Sequence, residues 1–278
     1  MASGHRRGSE RETTRLRRLA GEITAELGIQ LPDNKLTMLR GRLQRRLNQL
    51  GIDSLSAYED RLRGPAHGQT ERIQLLDLAT TNKTDFFREA EHFTYLTRCV
   101  LPALTDRTTC RVWSAGCSTG EEPYSLAMVL DDHALTHPGF GFSLTGTDIS
   151  VRALRAAARA TYATELAEPI PPLLRQRYLM PGTGLRSGET RIIPELRARV
   201  KLQRLNFMTD HYPFGELDIV FFRNVMIYFD RPTQKQVVEK LVRTLRPGGY
   251  LFIGHTETVS GFDLPLELQS SSVLRRIG

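Results

Sequence analysis

CRVWSAGCSTGEE, residues Cys110–Glu122, is the most informative stretch of this chain. Its apolar start, up to Ser114, predicts a buried strand, and Ala115–Gly120 predicts a glycine-punctuated turn. Two carboxylates follow the turn, and a helical pattern begins at Pro123. A strand, a glycine turn and a helix in this order form the first half of a Rossmann-like βαβ unit. Ligands of such sheets bind beyond the carboxyl ends of the strands.

The residues of this turn distinguish between three ligands. A phosphate-binding loop of the type GxxxxGK[ST] needs wider glycine spacing than Gly116 and Gly120 provide, and a Lys where Glu121 stands. A dinucleotide site needs GxGxxG, which is absent, and two acids would repel a pyrophosphate. S-adenosylmethionine carries a sulfonium, an ammonium and a ribose diol without phosphate. Acids beside the turn therefore favour S-adenosylmethionine.

The second predicted strand, Phe142–Ser150, supports this ligand because it contains Asp148 near its end. An acid at this position can accept hydrogen bonds from both ribose hydroxyls. The alternative is that Asp148 is the N-cap of the following helix, VRALRAAARA.

The remaining chain completes an α/β plan. Leu217–Phe229 begins as a mainly apolar run, typical of a central parallel strand, and Arg223 and Asn224 end it at the ligand edge. A helix over Pro232–Leu245, a strand in RPGGYLFIGH and a final hairpin in LPLELQSSSVLRRIG follow. This order predicts a class I, Rossmann-like S-adenosylmethionine-dependent methyltransferase domain.

The chain divides into three predicted parts. Residues 1–15 are polar and basic and are predicted to be disordered. Residues 16–80 form a small all-helical N-terminal domain, and residues 81–278 form the methyltransferase domain. Within that domain, β-like runs and turns over residues 178–200 predict a small antiparallel insertion, either a docking element or a decorative loop.

Composition indicates an ordinary globular protein of 278 residues, 40% hydrophobic and 25% charged. No apolar run approaches the ~20 residues of a membrane span, and the Arg-rich start has no apolar signal region. The three cysteines lack metal-ligand spacing, so we expect reduced thiols, no structural metal and a cytoplasmic location.

A basic stripe lies on the predicted helix that starts near Leu36. It consists of Lys35, Arg42, Arg45 and Arg46, with no acid between Lys35 and Gly51. The stripe is either a solvated face of a helical bundle or a surface for an acidic partner. The charge alone leaves nucleic acid, an acidic protein helix and anionic lipid open.

The segment TTNKTDFFREAEHF, Thr80–Phe93, carries polar groups around an aromatic pair. Asn82, Thr84 and Arg88 are candidate site residues. The alternative is a helix cap at Thr84, with both Phe residues anchoring the linker to the core.

Together, TNKTDFFRE, VWSAGCSTGEEPYSLAM, FFRNVMIYFD and RPGGYLFIGHTE resemble the CheR family of bacterial chemotaxis receptor methyltransferases. The resemblance runs from about Leu36 to Ile277. It implies a helical domain before a Rossmann-like domain with a β-subdomain. It also implies that the chain is a protein-glutamate O-methyltransferase, which uses S-adenosylmethionine and releases S-adenosylhomocysteine. The substrates implied are glutamates on cytoplasmic chemoreceptor helices, methylated in sensory adaptation.

The resemblance also implies residue roles. Cofactor contacts are expected from Asn82, Thr84, Arg88, Gly116, Glu122, Asp148, Asn206, Phe207, Arg223 and Asn224. Within this set, Asp148 takes the ribose, Asn206 and Phe207 border the adenine, and Arg223 and Asn224 lie near the methionyl end. Glu122 lies near the methionyl end or the adjoining glycine turn. Arg88 and Tyr228 are the catalytic candidates.

The basic stripe would meet the receptor's acidic methylation helix, and the insertion matches a β-subdomain that docks a receptor C-terminal tether in some members. The enzyme is expected to act as a monomer in the cytoplasm, recruited to receptor arrays without inserting into the membrane. No role follows from the resemblance for the Arg-rich residues 1–18.

The implied reaction is an SN2 displacement by a glutamate carboxylate, which is ionised at neutral pH because its reference pKa is about 4.3. No general base is required, and His255 is interpreted as structural. A nucleic-acid methyltransferase is the first rival, favoured by the pI of 9.6. It is disfavoured because neither a base-methylase Asn/Asp-Pro-Pro-Tyr/Phe motif nor an aromatic platform is present. A non-enzymatic cofactor sensor is the second rival.

Overall fold

The computed structural model describes residues 2–104, 108–209 and 211–278, with side chains from residue 10 onward. The chain forms two compact units. The first runs through Thr81 and also contains Tyr228–Asp230, and the second comprises Asn82–Ile227 and Arg231–Gly278.

The first unit is helical. Its helices are α1 Ala2–Leu27, α2 Asp33–Leu50, α3 Leu55–Arg63 and α4 Gly68–Ala79. The leucines that recur at three- and four-residue steps on α2 turn inward, and Leu39, Leu43 and Leu47 are buried. Gly51 ends α2 in a left-handed conformation (φ 64°), and Ser54 caps α3 by accepting from Ala57 N at 3.2 Å.

The structure differs from the predicted disorder of residues 1–15, because α1 begins at Ala2. The side chains of Arg15 and Arg18 both contact the carboxylate of Glu59, which is 2% exposed in its side chain. These ion pairs attach this part of α1 to α3 and favour helix over a free polar chain.

Ten strands lie within the described residues of the second unit. They are β1 Thr109–Ala115, β2 Gly141–Asp148, β3 Thr161–Ala163, β4 Leu179–Pro181, β5 Glu189–Ile192, β6 Val200–Arg204, β7 Leu217–Phe222, β8 Leu245–Ile253, β9 Leu266–Ser270 and β10 Val273–Arg276. Seven form one sheet in the order β6-β2-β1-β7-β8-β10-β9. Its strands pair in parallel from β6 to β8, and β10 pairs antiparallel with β8 and β9.

The second unit also contains α-helices. They are α5 Ala90–Tyr95, α6 Glu121–Thr136, α7 Val151–Arg159, α8 Pro172–Tyr178, α9 Pro194–Arg197 and α10 Arg231–Thr244. Helix α6 packs on β2, α7 on β2 and β6, and α10 on β8. Every residue of β7 is buried, as expected for a central parallel strand covered on both faces.

The antiparallel insertion starts earlier than the predicted residues 178–200. Strands β3, β5 and β4 form a separate small sheet in that order, and its first strand, Thr161–Ala163, lies before the predicted range. Helix α7 stops because Ala160 adopts a left-handed conformation (φ 50°) and its N–H bonds Ala156 O and Ala157 O. The β-branched Thr161 and aromatic Tyr162 then favour an extended strand.

Candidate functional site

The turn Ala115–Gly120 lies at the carboxyl end of β1. Three of its residues have positive φ: Gly116 at 90°, Ser118 at 50° and Gly120 at 104°. A Cβ on Gly116 would lie 2.5 Å from Val225 Cγ2, so only glycine fits there. The N–H groups of Gly116 and Cys117 both donate to Thr147 O at 2.8 Å. The turn is therefore fixed against the end of β2.

Asp148 ends β2 and links two backbone segments. Its Oδ2 accepts from Ser118 N and its Oδ1 from Ser150 N, both at 2.9 Å. The N-cap of α7 is Ser150, whose Oγ accepts from Ala153 N at 3.1 Å. The helix-cap alternative for Asp148 is therefore wrong. Beside this carboxylate, Ser118 Oγ is buried with no hydrogen-bond partner among the described residues.

The two acids that follow the turn are in the first turn of α6 and have different partners. Glu121 Oε2 accepts from Thr119 Oγ1 at 2.6 Å, and Glu122 Oε1 accepts from Ser114 Oγ at 2.7 Å. Burial raises the pKa of both carboxyls, although the nearby Arg223 guanidinium partly offsets the rise for Glu122. The hydrogen bond from Ser114 places Glu122 beside the end of β1.

Arg223 lies between two carboxylates immediately after β7. Its Nη1 is 3.5 Å from Glu122 Oε2, and its Nη2 is 3.3 Å from Glu89 Oε2 and donates to Arg88 O. The side chain is 1% exposed. These ion pairs offset the cost of burying the guanidinium. Its Nε and Nη1 have no hydrogen-bond partner among the described residues, so donors remain for an anionic ligand group.

Glu89 and Glu257 are two functional candidates that the sequence analysis missed. Burial raises the pKa of Glu89, but Arg223 and the side chain of Asn224 outweigh it and hold the pKa below its ordinary value. Glu257 Oε2 accepts from Asn224 N at 2.9 Å and from Gly254 N at 2.7 Å. Both acids lie inside the quoted motifs TNKTDFFRE and RPGGYLFIGHTE, but only their contacts reveal the role.

His92 is a third missed residue. Its ring is 2% exposed, with Nε2 2.5 Å from Ser272 Oγ and Nδ1 3.4 Å from Glu89 Oε2. Burial, with Arg223 and His255 nearby, lowers the pKa of His92 to about 3, so the ring is neutral at pH 7. Potential ligand atoms of Glu89, His92 and His255 lie within 4.8 Å of one another. We assign no metal to them, because the Arg223 cation contacts the same Glu89 oxygen.

The segment before α5 approaches the cluster mainly through its backbone. Arg88 is half-buried; its carbonyl accepts from Arg223, and its Nη1 donates to Lys83 O at 3.3 Å. Asn82 Oδ1 accepts from Arg152 Nη2 at 3.4 Å. Glu89 occupies the N-cap position of α5, so the cap alternative for Thr84 is not realised. Thr84 is half-buried in this segment.

The aromatic pair of this segment does anchor it to the core, as that alternative proposed. Phe86 is 1% exposed, and Phe87 packs against the core. Phe87 N donates to Ser125 Oγ of α6 at 3.0 Å.

Asn206 and Phe207 follow β6 next to the end of β2. Leu205 N donates to Asp148 O at 3.1 Å, which places the two residues beside Asp148 in the sheet. Asn206 Oδ1 accepts from Met208 N at 3.0 Å. Phe207 O accepts from the Tyr212 hydroxyl at 2.9 Å and from Lys240 Nζ at 2.7 Å.

The remaining predicted site residues belong to the first unit. Lys35 Nζ lies 4.4 Å from the centroid of the Tyr228 ring, and burial lowers the pKa of Lys35. Tyr228 O accepts from Gln30 N at 2.7 Å.

Two members of the basic stripe have structural partners within the first unit. Arg42 Nη1 donates to Leu78 O at 2.8 Å and Thr80 O at 2.6 Å at the end of α4. Arg46 makes two 2.8 Å hydrogen bonds to the buried carboxylate of Glu71. Arg45, in contrast, is exposed. The stripe is therefore a less uniform surface than its sequence suggests.

The sheet order, the glycine turn and the acids around it define a Rossmann-like methyltransferase domain of class I. Residues 82–274 match the family model "CheR methyltransferase, SAM binding domain", and residues 14–80 match "CheR methyltransferase, all-alpha domain". The chain belongs to the CheR methyltransferase family, as its motifs predict, and S-adenosylmethionine is its cofactor.

Curated relatives of this chain match it over most of their length. Chemotaxis protein methyltransferases of Klebsiella aerogenes and Escherichia coli are both 38% identical over 263 residues. The match covers 92% of this chain and 87% and 88% of theirs, respectively. The protein of the same name from Borreliella burgdorferi is 34% identical over 255 residues, 88% of each chain. Among the described helices, none is long and apolar enough to cross a membrane.

Proposed function

We propose that this methyltransferase esterifies glutamate side chains on the cytoplasmic helices of chemoreceptors, as part of sensory adaptation. Relatives that match most of the chain are named chemotaxis protein methyltransferases, which supports the substrate class. The observation that carries the proposal is the Glu122–Arg223–Glu89 cluster beside the turn that Asp148 holds.

The polar groups of this cluster and of the adjoining turn fit S-adenosylmethionine. The carboxylates of Asp148 and Glu122 suit a ribose diol and an ammonium. Ser118 Oγ and Arg223 Nε have no hydrogen-bond partner among the residues that the structure describes and remain available for polar ligand groups. Gly116 leaves the close approach that a side chain would block. We propose that Asn206 and Phe207 border the adenine. Arg223 and Asn224 would hold the methionyl end, with Asn82, Thr84 and Arg88 along the cofactor.

The reaction that we propose needs no general base. The bound cofactor supplies an electrophilic methyl group on a sulfonium centre, which a substrate carboxylate oxygen displaces in an SN2 reaction that leaves a methyl ester. The substrate glutamate is already ionised at neutral pH. His92 is neutral and bonded to Ser272, and burial keeps the Cys117 thiol protonated by raising its pKa. The protein then contributes mainly by positioning, which can supply roughly 7–11 kcal/mol.

Arg88 is our candidate for orienting the substrate carboxylate. Its guanidinium donates to a backbone carbonyl at 3.3 Å, a weak contact that a carboxylate can replace. The family resemblance assigns Tyr228 to the methyl-transfer channel, and we propose it as the second catalytic residue.

We propose that the basic stripe of α2, chiefly Lys35 and the exposed Arg45, binds the acidic methylation helix. The small sheet would receive the receptor tether. The enzyme would work as a monomer at cytoplasmic receptor arrays.

The decisive experiment is transfer of labelled methyl from S-adenosylmethionine to chemoreceptor-containing membranes, followed by alkaline treatment. Release of the label as volatile methanol is expected, because methyl esters are base-labile and methylated amines are not. Receptors whose methylation-helix glutamates are replaced by alanine serve as the control. Cofactor binding without base-labile label on receptor would contradict the proposal, and labelling of nucleic acid instead would revive that rival.

A further inference from the structure

Tyr162 connects the small sheet to the cofactor turn. It is the central residue of β3 and is 6% exposed. Its hydroxyl donates to Thr119 O at 3.0 Å, and its ring packs edge-on against Phe86 with centroids 4.8 Å apart. One side chain of the small sheet therefore touches both the turn and the segment that carries Thr84 and Arg88.

The turn needs such a restraint because its backbone is strained. Three of the five residues from Gly116 to Gly120 have positive φ, and one of them, Ser118, is not glycine. The end of β2 holds the first part of the turn, through Thr147 O and Asp148 Oδ2. Tyr162 holds the last part, at Thr119, immediately before α6 begins.

The surroundings of Gly120 show that the Tyr162 hydroxyl lies close to the backbone of the turn. A Cβ on Gly120 would lie 2.7 Å from the Tyr162 hydroxyl oxygen and 2.9 Å from Ala157 Cβ. The absence of a side chain at Gly120 thus lets the phenol reach the neighbouring carbonyl. Burial raises the Tyr162 pKa well above its ordinary value, so the phenol stays protonated and remains a donor over the working pH range.

We propose that Tyr162 is a positioning residue for cofactor binding, and that the small sheet is thereby part of the cofactor site. Its hydroxyl holds the Thr119 carbonyl, and with it the turn, in the conformation that places Ser118 and Asp148 toward the ribose. Without the hydroxyl, the turn samples other conformations in the free protein, and binding has to restore the ordered one. The free energy needed to order the turn then reduces cofactor affinity, whereas the rate of the chemical step is unchanged.

The structure offers a matched control in Tyr124. Its hydroxyl also donates to a buried backbone carbonyl, Ala157 O at 2.9 Å, and its side chain is buried as well. That carbonyl belongs to α7, not to the turn. Tyr162→Phe and Tyr124→Phe therefore each remove one buried hydroxyl–carbonyl bond, and only the first removes it from the turn.

The test is calorimetric titration of S-adenosylmethionine into the wild-type chain and both variants, without protein substrate. Tyr162→Phe should raise the Kd about fivefold, the effect of one neutral hydrogen bond, whereas Tyr124→Phe should leave it within about twofold. Turnover on receptor membranes should show the same rise in KM for the cofactor, with kcat within about twofold. Urea unfolding should show similar losses of stability for the two variants.

Equal Kd changes in both variants would overturn the proposal, because a general loosening of the fold would then be the cause. Unchanged affinity in Tyr162→Phe would overturn it as well. Because the titration contains no receptor, these outcomes are independent of whether the protein substrate is correctly assigned.

Discussion

Asn224 donates its side-chain amide to the carboxylate of Glu89 at 3.2 Å, and both residues have left-handed backbone conformations, with φ of 58° and 56°. Neither residue is a glycine, so each conformation carries a cost of order 1–3 kcal/mol. Surrounding contacts hold both: Glu257 accepts from Asn224 N, and Arg223 lies against Glu89. Strained backbone thus lies just after β7 and at the start of α5, where the cofactor is expected.

Glu257 should therefore be important for stability although it is distant in sequence from the other acids. Glu257→Ala would leave the N–H groups of Asn224 and Gly254 without their acceptor, and should lower the free energy of unfolding by about 2–4 kcal/mol in urea titrations. The exposed acid Glu267 provides the control, since Glu267→Ala should change stability by less than about 0.5 kcal/mol. Equal losses of stability in the two variants would contradict this role of Glu257.

The buried His92 should make stability depend on pH. Its pKa is about 3 in the folded chain against 6.5 unfolded, so the unfolded state binds the proton first as pH falls. The stability it contributes is complete above pH 6.5 and is lost toward pH 3, with a slope of up to ~1.4 kcal/mol per pH unit.

This loss can be isolated with a variant that does not titrate. His92→Gln should show a shallower decline than wild type in urea unfolding between pH 7 and pH 4.5, whereas exposed His67→Gln should follow wild type. Glu89 and Glu71, whose pKa values are lowered, weaken the fold in acid as well, and they do so in all three proteins. Parallel wild-type and His92→Gln curves would contradict the prediction, because His92 would then take up its proton at the same pH in the folded and the unfolded chain.

Arg88→Ala should separate turnover from cofactor binding. The guanidinium is proposed to orient the substrate carboxylate, so kcat on receptor membranes should fall by about 100-fold or more. The Kd for S-adenosylmethionine should stay within about threefold, because the carbonyl that Arg223 uses is part of the backbone. Arg98→Ala, which changes an exposed arginine ten residues later, is the control. Losses of equal size in kcat and affinity would contradict the orienting role.

Neighbouring arginines on α2 should behave differently. Arg46→Ala removes the bidentate partner of the buried Glu71. It should therefore lower the free energy of unfolding of the first unit by roughly 2–4 kcal/mol. Arg45→Ala should leave stability within about 0.5 kcal/mol and raise the KM for receptor, an effect that weakens with added salt. Thermal unfolding and receptor titrations at two ionic strengths measure both. A receptor KM unchanged by Arg45→Ala would argue against the stripe as the docking surface.

Local sequence patterns predict much of this architecture. The strand–turn–helix of Cys110–Glu122, the buried β7 and the closing hairpin each depend on periodicity and glycine placement within about ten residues. The sequence leaves Asp148 open between a ribose contact and a helix cap, and the structure gives the cap of α7 to Ser150. Four motifs in order then indicated the family, which the family models confirm.

Short-range patterns and motif order were enough to predict the fold class, the cofactor and the family. Which side chains come into contact depends on tertiary packing. It paired Arg46 with Glu71, made Thr161–Ala163 a strand, and brought the Tyr162 hydroxyl to Thr119, 43 residues away. The sequence does not show whether a charged or aromatic side chain faces water, a buried carboxylate or a strained turn. Only packing fixes its partner, because the energy of burying a polar group depends on what lies within hydrogen-bonding distance.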